Sequence, residues 1–478
     1  MKAVILAAGQ GKRQRVNGDC KPLISVLGLS LIERVILTAK KTGIKEFQII
    51  IGYNGLKIRN HLGDGSRYGV KINYVFNEEW KKGNGISLLK AKNYINEPFI
   101  LLMADHLFDE EILNSLKEIN LEDGECILCT DRNHNKYLDI EDATKVLIEN
   151  DKIIDIGKEL TIYNGVDTGI FLCSPSIFDA LEESINNGND TLSGGIRVLA
   201  DRGKMRTLDV SGKFWIDVDD TKALKNAQSL LCRQLVKKTD GPVSKVLNRH
   251  ISILISRFLL KKNITPNQIS VISFIMSIIG AAFLSMGRYV SFVAGGVLVQ
   301  LSSIIDGCDG EIARLKFKTS QFGAWFDAVL DRYADALIIL GMVYGFWLFH
   351  HNVIIWIVGF LALMGSLINS YTADKYDVIF RRTITTKKWK IRFGRDIRLF
   401  IIFIGALSNQ IFITLVILSI LTNFESIRRI IVLKNKYTNS FVEKWIDLKP
   451  SSLKSEQLLP GLKFQKTQHI QRTRRNGY

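Results

Sequence analysis

Four acidic residues, Asp306, Asp309, Asp327 and Asp331, lie in a segment that is otherwise suited to lipid. Their spacings of three and four residues place partners on one face of a helix. The flanking runs FVAGGVLVQLSSII and ALIILGMVYGFWLF are apolar. A charged side chain inside a membrane costs about 3 kcal/mol or more, so such residues indicate a functional site. Carboxylates in close array repel one another unless a cation lies among them, so this segment predicts a metal site.

The spacing of this segment is also specific. It reads D-G-C-D-G-E-I-A-R, eight residues, G, three residues, D, three residues, D. This pattern resembles the signature of the CDP-alcohol phosphotransferases, which are integral membrane enzymes. The resemblance implies that the first three aspartates bind a metal and the CDP pyrophosphate, and that Asp331 is the general base for the attacking hydroxyl. It also implies nucleotide contacts from Gly310 and Arg314.

A second group of candidate residues follows the first predicted strand. AVILAAGQGKRQR, with KPL shortly after it, is a strand running into a glycine-rich basic turn. Gly9 and Gly11 allow the backbone to approach phosphates, and Lys12, Arg13 and Lys21 supply positive charge. The turn is neither a Walker A loop nor GxGxxG, because GK[ST] and a third glycine are absent. It therefore indicates a phosphate site of another type.

Two acidic positions complete this second pattern. Asp105 ends the hydrophobic strand ILLMADH, and Asp217 and Asp219 lie in FWIDVDD. With the turn, they resemble the nucleotidyltransferases that activate sugar, choline or inositol phosphates, over residues 1 to about 225. The resemblance implies that Asp105 and one of the later pair hold Mg²⁺ or Mn²⁺, a hard cation suited to carboxylates.

The same resemblance assigns further residues. It implies that Arg13 and Lys21 neutralise the phosphates in the transition state. It places nucleotide contacts at Leu6, Ala7, Ala8, Gly9, Gly11 and Lys12, and in the turn GNGISL at Asn84, Gly85 and Ser87. It also implies that Lys158 and Asp167 face the acceptor phosphate and polyol.

The chain must fold so that both groups assemble. Residues 1–227 alternate buried-strand patterns with helical ones, which predicts a Rossmann-like α/β nucleotidyltransferase domain with a mostly parallel sheet. The predicted strands are KAVILAAG, FQIIIGY, INYVFN, PFILLMAD, ECILCTD and VDTGIFLC. Residues 228–265 are amphipathic and predict a juxtamembrane helix lying on the headgroups.

The rest of the chain predicts an all-α membrane domain at 266–434 and a basic polar tail at 435–478. About six transmembrane helices are expected, at 268–287, 289–306, 323–349, 353–371, 397–409 and 410–433. The short connections GRY, FHHN and SNQ carry one Lys or Arg together, whereas the other loops and the tail are basic. Placing the basic loops inside requires an even number of crossings, so both termini are expected in the cytoplasm.

The charge balance supports a membrane rather than a nucleic acid as the large partner. The net charge is +17, yet 47% of the residues are hydrophobic. The basic residues crowd into the C-terminal half beside apolar runs, as expected for contact with anionic lipid. We therefore predict a lipid bilayer as partner and no nucleic acid; a homodimer through the membrane domain is compatible with the sequence.

Joined on one chain, the two domains would make a CDP-alcohol and then consume it. This fusion, and the junction KKTDGPVSKVLNRHISILIS, resemble the bifunctional inositol-1-phosphate cytidylyltransferase/di-inositol-phosphate-phosphate synthases. The resemblance implies that CTP and inositol 1-phosphate give CDP-inositol and diphosphate. CDP-inositol and a second inositol 1-phosphate would then give di-inositol phosphate phosphate, a compatible-solute precursor, and CMP. Arg395 and Arg398, in GRDIRLF, would hold the acceptor phosphate.

Two alternatives stay open at this stage. The chain could make another CDP-alcohol and pass its phospho-alcohol to a lipid acceptor in phospholipid synthesis. Alternatively, the first domain could be a non-catalytic nucleotide sensor on a membrane transferase. Nothing in the sequence determines the stereochemistry of the alcohol.

Overall fold

The computed structural model describes residues 1–11, 20–133, 139–237, 239–380 and 393–447, without the side chains of 376–380 and 435–447. The strands are β1 (Lys2–Ala7), β2 (Ser25–Val26), β3 (Leu29–Ser30), β4 (Glu46–Ile51), β5 (Lys71–Phe76), β6 (Phe99–Met103), β7 (His106–Phe108), β8 (Cys126–Asp131), β9 (Lys145–Glu149), β10 (Lys152–Gly157), β11 (Gly165–Cys173), β12 (Met205–Asp209) and β13 (Trp215–Asp217). The helices of the first domain are α1 (Leu31–Lys41), α2 (Gly55–Leu62), α3 (Asn84–Leu89), α4 (Glu110–Lys117), α5 (Ser176–Asn186), α6 (Leu192–Asp201) and α7 (Thr221–Gln234). They are followed by α8 (Arg249–Leu259), α9 (Pro266–Ser285), α10 (Tyr289–Leu315), α11 (Gln321–His350), α12 (Ile354–Phe380), α13 (Arg395–Leu407) and α14 (Ile411–Asp447).

The main sheet confirms the predicted α/β architecture. Its order is β5-β4-β1-β6-β11-β8-β12-β10-β9, and all six strands predicted from the sequence belong to it. The pairs β5–β4, β4–β1 and β1–β6 are parallel, as expected. However, β11 runs antiparallel to both β6 and β8, so the second half of the sheet is mixed.

Helices cover both faces of the sheet, which explains why its strands read as continuous apolar runs. In β1, Ala3 and Ile5 join the cluster that packs under α1 and α4, whereas Val4 and Leu6 join the cluster under α5 and α6. Polar residues that could take part in catalysis therefore lie at the ends of the strands. Beyond β6, the short strand β7 pairs with β13 and sets His106 opposite Asp217.

The second domain is helical, as predicted, but its spans differ in length from the expectation. Among the described residues, five helices are long and apolar enough to cross a membrane: α9, α10, α11, α12 and α14. The predicted fifth span corresponds to α13, which has 13 residues and is too short to cross a membrane by itself. Five helices of the described chain, rather than the expected six or so, are therefore long enough to cross. Conversely, α14 continues to Asp447, beyond the predicted end of the membrane domain.

The aspartate-bearing helices extend further than the apolar pattern indicated. We predicted one span to end at residue 306 and the next to begin at 323, whereas α10 runs to Leu315 and α11 begins at Gln321. All four aspartates therefore lie on regular helix, with more than a turn of helix beyond them. Their spacing of three and four residues keeps the carboxylates of each pair on one side of its own helix, and ligand oxygens of Asp306, Asp327 and Asp331 come within 4.8 Å of one another.

The segment predicted as a linker contains the end of α7, a π-helical stretch at Ser244–Asn248, and α8. The helix α7 runs through the boundary expected at residue 227, and α8 packs against α10. The apolar side of α8 is the exposed one, with Leu254 at 66% and Phe258 at 60% of full exposure. This orientation is compatible with a helix that lies on lipid.

The polar side of α8 is held by one buried acid. Glu311 of α10 is 0% exposed and accepts hydrogen bonds from Ser252 Oγ at 2.5 Å and Ser256 Oγ at 2.7 Å. Arg249 Nη1 also donates to Glu311 at 2.7 Å, and Arg249 Nε donates to Asp240 at 2.8 Å. This network fixes the linker to the helix that carries Asp306.

An apolar cluster joins the two domains. Leu27 and Leu231 from the first domain pack on a group formed by Leu260, Ile312 and Leu315. The first domain therefore rests on the end of α10 rather than being linked to it by chain alone.

We predict that Glu311→Ala lowers the free energy of unfolding by about 1–3 kcal/mol, because it leaves two buried serine hydroxyls without their acceptor and removes one of the two carboxylates that pair with Arg249. Thermal unfolding of the detergent-solubilised protein measures this loss. Asp374→Ala is the control, since Asp374 pairs with Arg332 at the surface, where such a change costs less than about 1 kcal/mol. Equal unfolding midpoints for the two variants would contradict the prediction.

Candidate active sites

The first site is built around a lysine held by three carboxylates. Lys21 Nζ lies 2.5 Å from Asp105 Oδ2 and 3.8 Å from Asp217 Oδ1, and it also contacts Asp219 Oδ1. Lys21 follows the glycine-rich turn, Asp105 follows β6, and the other two follow or end β13. The structure thus brings together residues that are far apart in the chain and that the sequence assigned to one site.

The charges of this cluster are strongly coupled. Burial alone would lower the pKa of Lys21, but the carboxylates of Asp105, Asp217 and Asp219 raise it above its usual range. Burial would raise the pKa of Asp105, yet the Lys21 charge and a hydrogen bond from His106 lower it well below normal. For Asp217, burial dominates and raises the pKa to about 7.

His106 is a site residue that the sequence analysis did not single out. Its Nδ1 lies 2.8 Å from Asp105 Oδ1 and 3.7 Å from Asp217 Oδ1. Burial would lower the pKa of His106, but Asp217 and Asp105 raise it to about 9. The only sequence signal was its place directly after Asp105, which by itself says nothing about where the ring points.

A glycine makes room for the His106 ring. Gly169 lies at a register shift in β11 with φ +72°, and a Cβ there would lie 2.7 Å from His106 Cδ2. Asp167, two residues earlier, accepts a hydrogen bond from the Gly169 N–H at 2.7 Å, and its charge interacts with His106. Burial raises the pKa of Asp167 to about 6. Asp167 is therefore beside the cluster, as its predicted role requires.

The donor set of this cluster suits a divalent cation. Ligand atoms of Asp105, His106 and Asp217 lie within 4.8 Å of one another. Asp217 Oδ1 is buried and has no hydrogen-bond partner among the described residues. A buried carboxylate oxygen without a partner is costly, and oxygen donors are what Mg²⁺ and Mn²⁺ prefer.

The other predicted residues of the first domain are placed as follows. Gly11, with φ +59°, closes on Lys21, since a Cβ at Gly11 would lie 2.8 Å from Lys21 Cβ. Leu6 and Ala7 end β1, and Ala8 and Gly9 continue into the turn. Lys12 and Arg13 lie outside the described residues, so their predicted roles stay predictions.

The turn GNGISL packs against the start of α6. Asn84 Oδ1 accepts a hydrogen bond from the Leu192 N–H at 2.8 Å, and a Cβ at Gly85 would lie 2.7 Å from the Asp190 carbonyl oxygen. Ser87 Oγ accepts from Asn77 Nδ2 at 3.0 Å. These three residues therefore have structural partners besides any nucleotide.

Among the described residues, Lys158 contacts Asp142 rather than the cluster around Lys21. Its Nζ donates to Asp142 Oδ1 at 2.9 Å on an exposed surface. Its predicted contact with an acceptor phosphate therefore stays a prediction.

The second site gathers the four aspartates of α10 and α11. Ligand oxygens of Asp306, Asp327 and Asp331 lie within 4.8 Å of one another. Asp309 accepts from Ser270 Oγ and interacts with Asp327. Asp327 Oδ1 is buried without a hydrogen-bond partner among the described residues. As in the first site, a cation held by carboxylates would satisfy this oxygen.

Gly310 directly follows Asp309 on α10, and Arg314 lies about one turn further along the same helix. Arg314 Nη2 donates to the Leu235 carbonyl at 3.3 Å, and its Nε is buried without a partner among the described residues. A Cβ at Gly310 would lie 3.2 Å from Arg314 Nη1. The small residue thus leaves space beside the guanidinium, as a nucleotide contact would require.

Arg395 forms ion pairs with three aspartates. Its Nη1 lies 2.6 Å from Asp331 Oδ1 and 3.1 Å from Asp306 Oδ2, and its Nε lies 3.1 Å from Asp335 Oδ1. Arg398, one turn further on, pairs with Asp335 Oδ2 at 2.6 Å. Asp335 lies outside the aspartate signature and was given no role from the sequence.

The two arginines line different cavities. Arg395, Asp306 and Asp331 line a polar cavity of about 280 Å³ whose other walls are the linker and the start of α13. Arg398 is buried and lines a much smaller space with Asp335. Of the two predicted acceptor residues, only Arg395 borders the open cavity.

Comparisons with known proteins agree with this division. The chain matches a family described as nucleotidyl transferase over residues 2–234 and a family described as CDP-alcohol phosphatidyltransferase over residues 263–431. The fold and the two clusters thus define a transferase in which a nucleotidyltransferase domain precedes a membrane-type CDP-alcohol transferase domain.

Proteins described as bifunctional IPC transferase and DIPP synthase are similar over almost the whole chain. The protein from Rubrobacter xylanophilus is 35% identical over 436 residues, covering 90% of this chain and 96% of that one. The protein from Aquifex aeolicus is 34% identical over 449 residues, covering 91% and 99%. This chain belongs to the family of bifunctional IPC transferases and DIPP synthases. A solved structure, the inositol-1-phosphate CTP transferase from T. maritima, has 26% identity and a TM-score of 0.43, covering 48% of this chain and 94% of that chain.

We predict that Gly169→Ala raises the divalent-cation concentration needed for half-maximal nucleotidyl transfer by about tenfold, because the new Cβ displaces His106 from the two carboxylates that would hold the cation. Metal titrations of CTP-dependent diphosphate release measure this change. Gly212→Ala is the matched control, since Gly212 has φ +81° but nothing within 4 Å of a Cβ. If both variants shift the titration equally, backbone strain is the cause and the role of His106 is refuted.

Proposed function

We propose that the first site joins CTP and inositol 1-phosphate into CDP-inositol and diphosphate. We propose further that the second site joins CDP-inositol to a second inositol 1-phosphate, giving di-inositol phosphate phosphate and CMP. The family supports this sequence of reactions, since its members are described as both IPC transferase and DIPP synthase. The observation that carries the second step is Arg395, which borders a polar cavity beside Asp331.

In the first step, an oxygen of the inositol phosphate attacks the α-phosphorus of CTP, and the bond to diphosphate breaks. We assign to Lys21 the neutralisation of charge on these phosphates, together with Arg13. Asp105 and Asp217 would hold the cation, with Asp219 beside them. A bound Mg²⁺ or Mn²⁺ supplies further positive charge for the polyphosphate.

In the second step, a hydroxyl of the acceptor attacks the phosphorus that carries inositol in CDP-inositol, and the bridging bond to CMP breaks. We assign Asp331 as the base that takes the hydroxyl proton. Asp306, Asp309 and Asp327 would hold the cation beside the diphosphate group, and Gly310 and Arg314 would contact the nucleotide. The cation supplies charge neutralisation at that group.

Two observations bear on the alternatives. The cavity beside Asp331 is lined by polar groups, including Ser244, Asn248 and Arg249, which suits a polyol phosphate better than a lipid acceptor. The arrangement of Lys21 among three carboxylates supports a catalytic first domain over a nucleotide sensor.

We also propose that both termini face the cytoplasm. Tyr289 Oη donates to the Leu407 carbonyl at 3.2 Å, and the rings of Phe346 and Phe412 lie 5.7 Å apart. The three short loops are therefore at one end of the bundle, and α13 reaches that end although it is short. This arrangement supports an even number of crossings, with the basic loops on the cytoplasmic side.

A labelling experiment tests this topology. All six native cysteines are buried, so an introduced thiol gives a clean signal. We expect Asn352→Cys to react with a membrane-impermeant maleimide from outside intact cells. Lys262→Cys should react only after the membrane is opened. Labelling of Lys262→Cys in intact cells would refute the topology.

Separate variants should stop the two reactions independently. We expect Lys21→Met to slow diphosphate release from CTP and inositol 1-phosphate by at least about a hundredfold, because a preorganised positive charge is lost. The same variant should still use supplied CDP-inositol. Asp331→Asn should accumulate CDP-inositol, as followed by ³¹P NMR.

The controls decide among the functions. Asp151→Asn, a change at an exposed acid that pairs with Arg132, should leave both steps intact. If the unmodified protein forms neither diphosphate nor a phosphodiester, the inositol proposal fails. If Lys21→Met retains full diphosphate release, the first site is misassigned.

A further inference from the structure

We propose that Asp335 is a positioning residue for the second reaction: it fixes the guanidinium of Arg395 so that this group binds the phosphate of the polyol phosphate acceptor. This inference rests on the proposed function of the second site. Asp335 lies one helical turn beyond Asp331 on α11, deeper in the apolar part of the bundle.

The contacts of Asp335 leave it no capacity for substrate or metal. Its side chain is 3% exposed. Oδ1 accepts from Arg395 Nε at 3.1 Å, and Oδ2 accepts from Arg398 Nη2 at 2.6 Å and Ser366 Oγ at 3.2 Å. By contrast, Asp327 retains a buried oxygen without a partner among the described residues. Asp335 is therefore a support for other groups rather than a ligand.

Two of the three guanidinium nitrogens of Arg395 are occupied, and each has a different kind of partner. Nε is held by Asp335, while Nη1 lies between Asp306 and Asp331. Within the described residues, Nη2 has no hydrogen-bond partner. Because the guanidinium is planar and rigid, fixing Nε fixes the direction in which Nη1 and Nη2 point.

Arg398 strengthens this support from the opposite side of the carboxylate. Its Nη2 also donates to Ser370 Oγ at 3.1 Å, so Asp335 links α11 to α12 and α13 through two arginines. Asp335 and Arg398 are absent from the walls of the cavity that Arg395 borders. They can therefore act on an acceptor in that cavity only through Arg395.

Asp335 also competes with Asp306 and Asp331 for the positive charge of Arg395. With Asp335 ionised, Arg395 divides its attraction among three acids, Asp306, Asp331 and Asp335. Without that charge, Arg395 is expected to pair more strongly with Asp331, whose Oδ1 already lies 2.6 Å from Nη1. An anionic acceptor would then have to displace an ion pair before it could bind.

The first test is the kinetics of the second step with supplied CDP-inositol and inositol 1-phosphate. We expect Asp335→Asn to raise the KM for inositol 1-phosphate by about tenfold, while the KM for CDP-inositol changes by less than about twofold. Asp335→Glu, which keeps the charge, should recover part of the loss. Nucleotidyl transfer in the first domain should be unchanged in both variants.

A matched control separates positioning from a purely structural role. Glu425 is another buried acid of the helical domain, and it pairs with Arg429 at 3.3 Å and with Arg428 at 2.7 Å. Glu425→Gln should lower the thermal midpoint without a selective change in either KM. If Asp335→Asn lowers the midpoint and raises both KM values equally, Asp335 is only structural and the proposal is overturned.

Phosphate binding tests the role of Asp335 independently of turnover. Inorganic phosphate is titrated into the purified full-length protein by calorimetry, and the binding that is lost in Arg395→Gln defines the acceptor site. We expect Asp335→Asn to weaken that binding by about tenfold. Unchanged binding in Asp335→Asn, or no Arg395-dependent binding in the unmodified protein, would overturn the proposal. If phosphate binds as expected but no phosphodiester forms, the proposed function fails while the role of Asp335 stands.

Discussion

The second domain depends on the compensation of buried negative charge. Five aspartates from α10 and α11 lie close together among apolar helices, and each uncompensated charge would cost several kcal/mol. Arg395 and Arg398, both from the first turn of α13, balance part of that charge through Asp306, Asp331 and Asp335. The short helix α13 therefore begins at the depth of the aspartates, because its first residues are their counter-ions.

The same requirement explains which acids remain reactive. Asp335 has partners on both oxygens and supports its neighbours without taking part in the chemistry. Asp327, by contrast, has an oxygen without a partner among the described residues. Along one face of α11, successive turns thus change from an unsatisfied acid to a satisfied one. In the first domain, Lys21 has a comparable function, since it holds three carboxylates near one another without neutralising all of their oxygens.

Much of this arrangement could be predicted from the sequence, and the exceptions have physical causes. Helical periodicity predicted that Asp306 and Asp309 share one face of a helix, as do Asp327 and Asp331, and the family signature implied that the two pairs meet at one metal site, as Asp306, Asp327 and Asp331 do. His106 was missed, since its position depends on the pairing of β7 with β13, more than a hundred residues apart. The reversed direction of β11 was also missed, because a strand buried on both faces has the same apolar pattern whichever way it runs. Asp335 lies one turn beyond the signature and had no assigned role, because its two arginines come from a helix more than fifty residues later.

The apolar cluster that joins Leu27 and Leu231 to Leu260 and Leu315 has a consequence for the intermediate. A CDP-alcohol released by the first domain begins its diffusion from a source that is anchored beside the consuming domain. That source lies at a fixed distance from the second site, because the cluster holds the two domains together. The intermediate itself is not tethered, so its concentration at the second site is set by its production and diffusion rather than by the linkage of the domains.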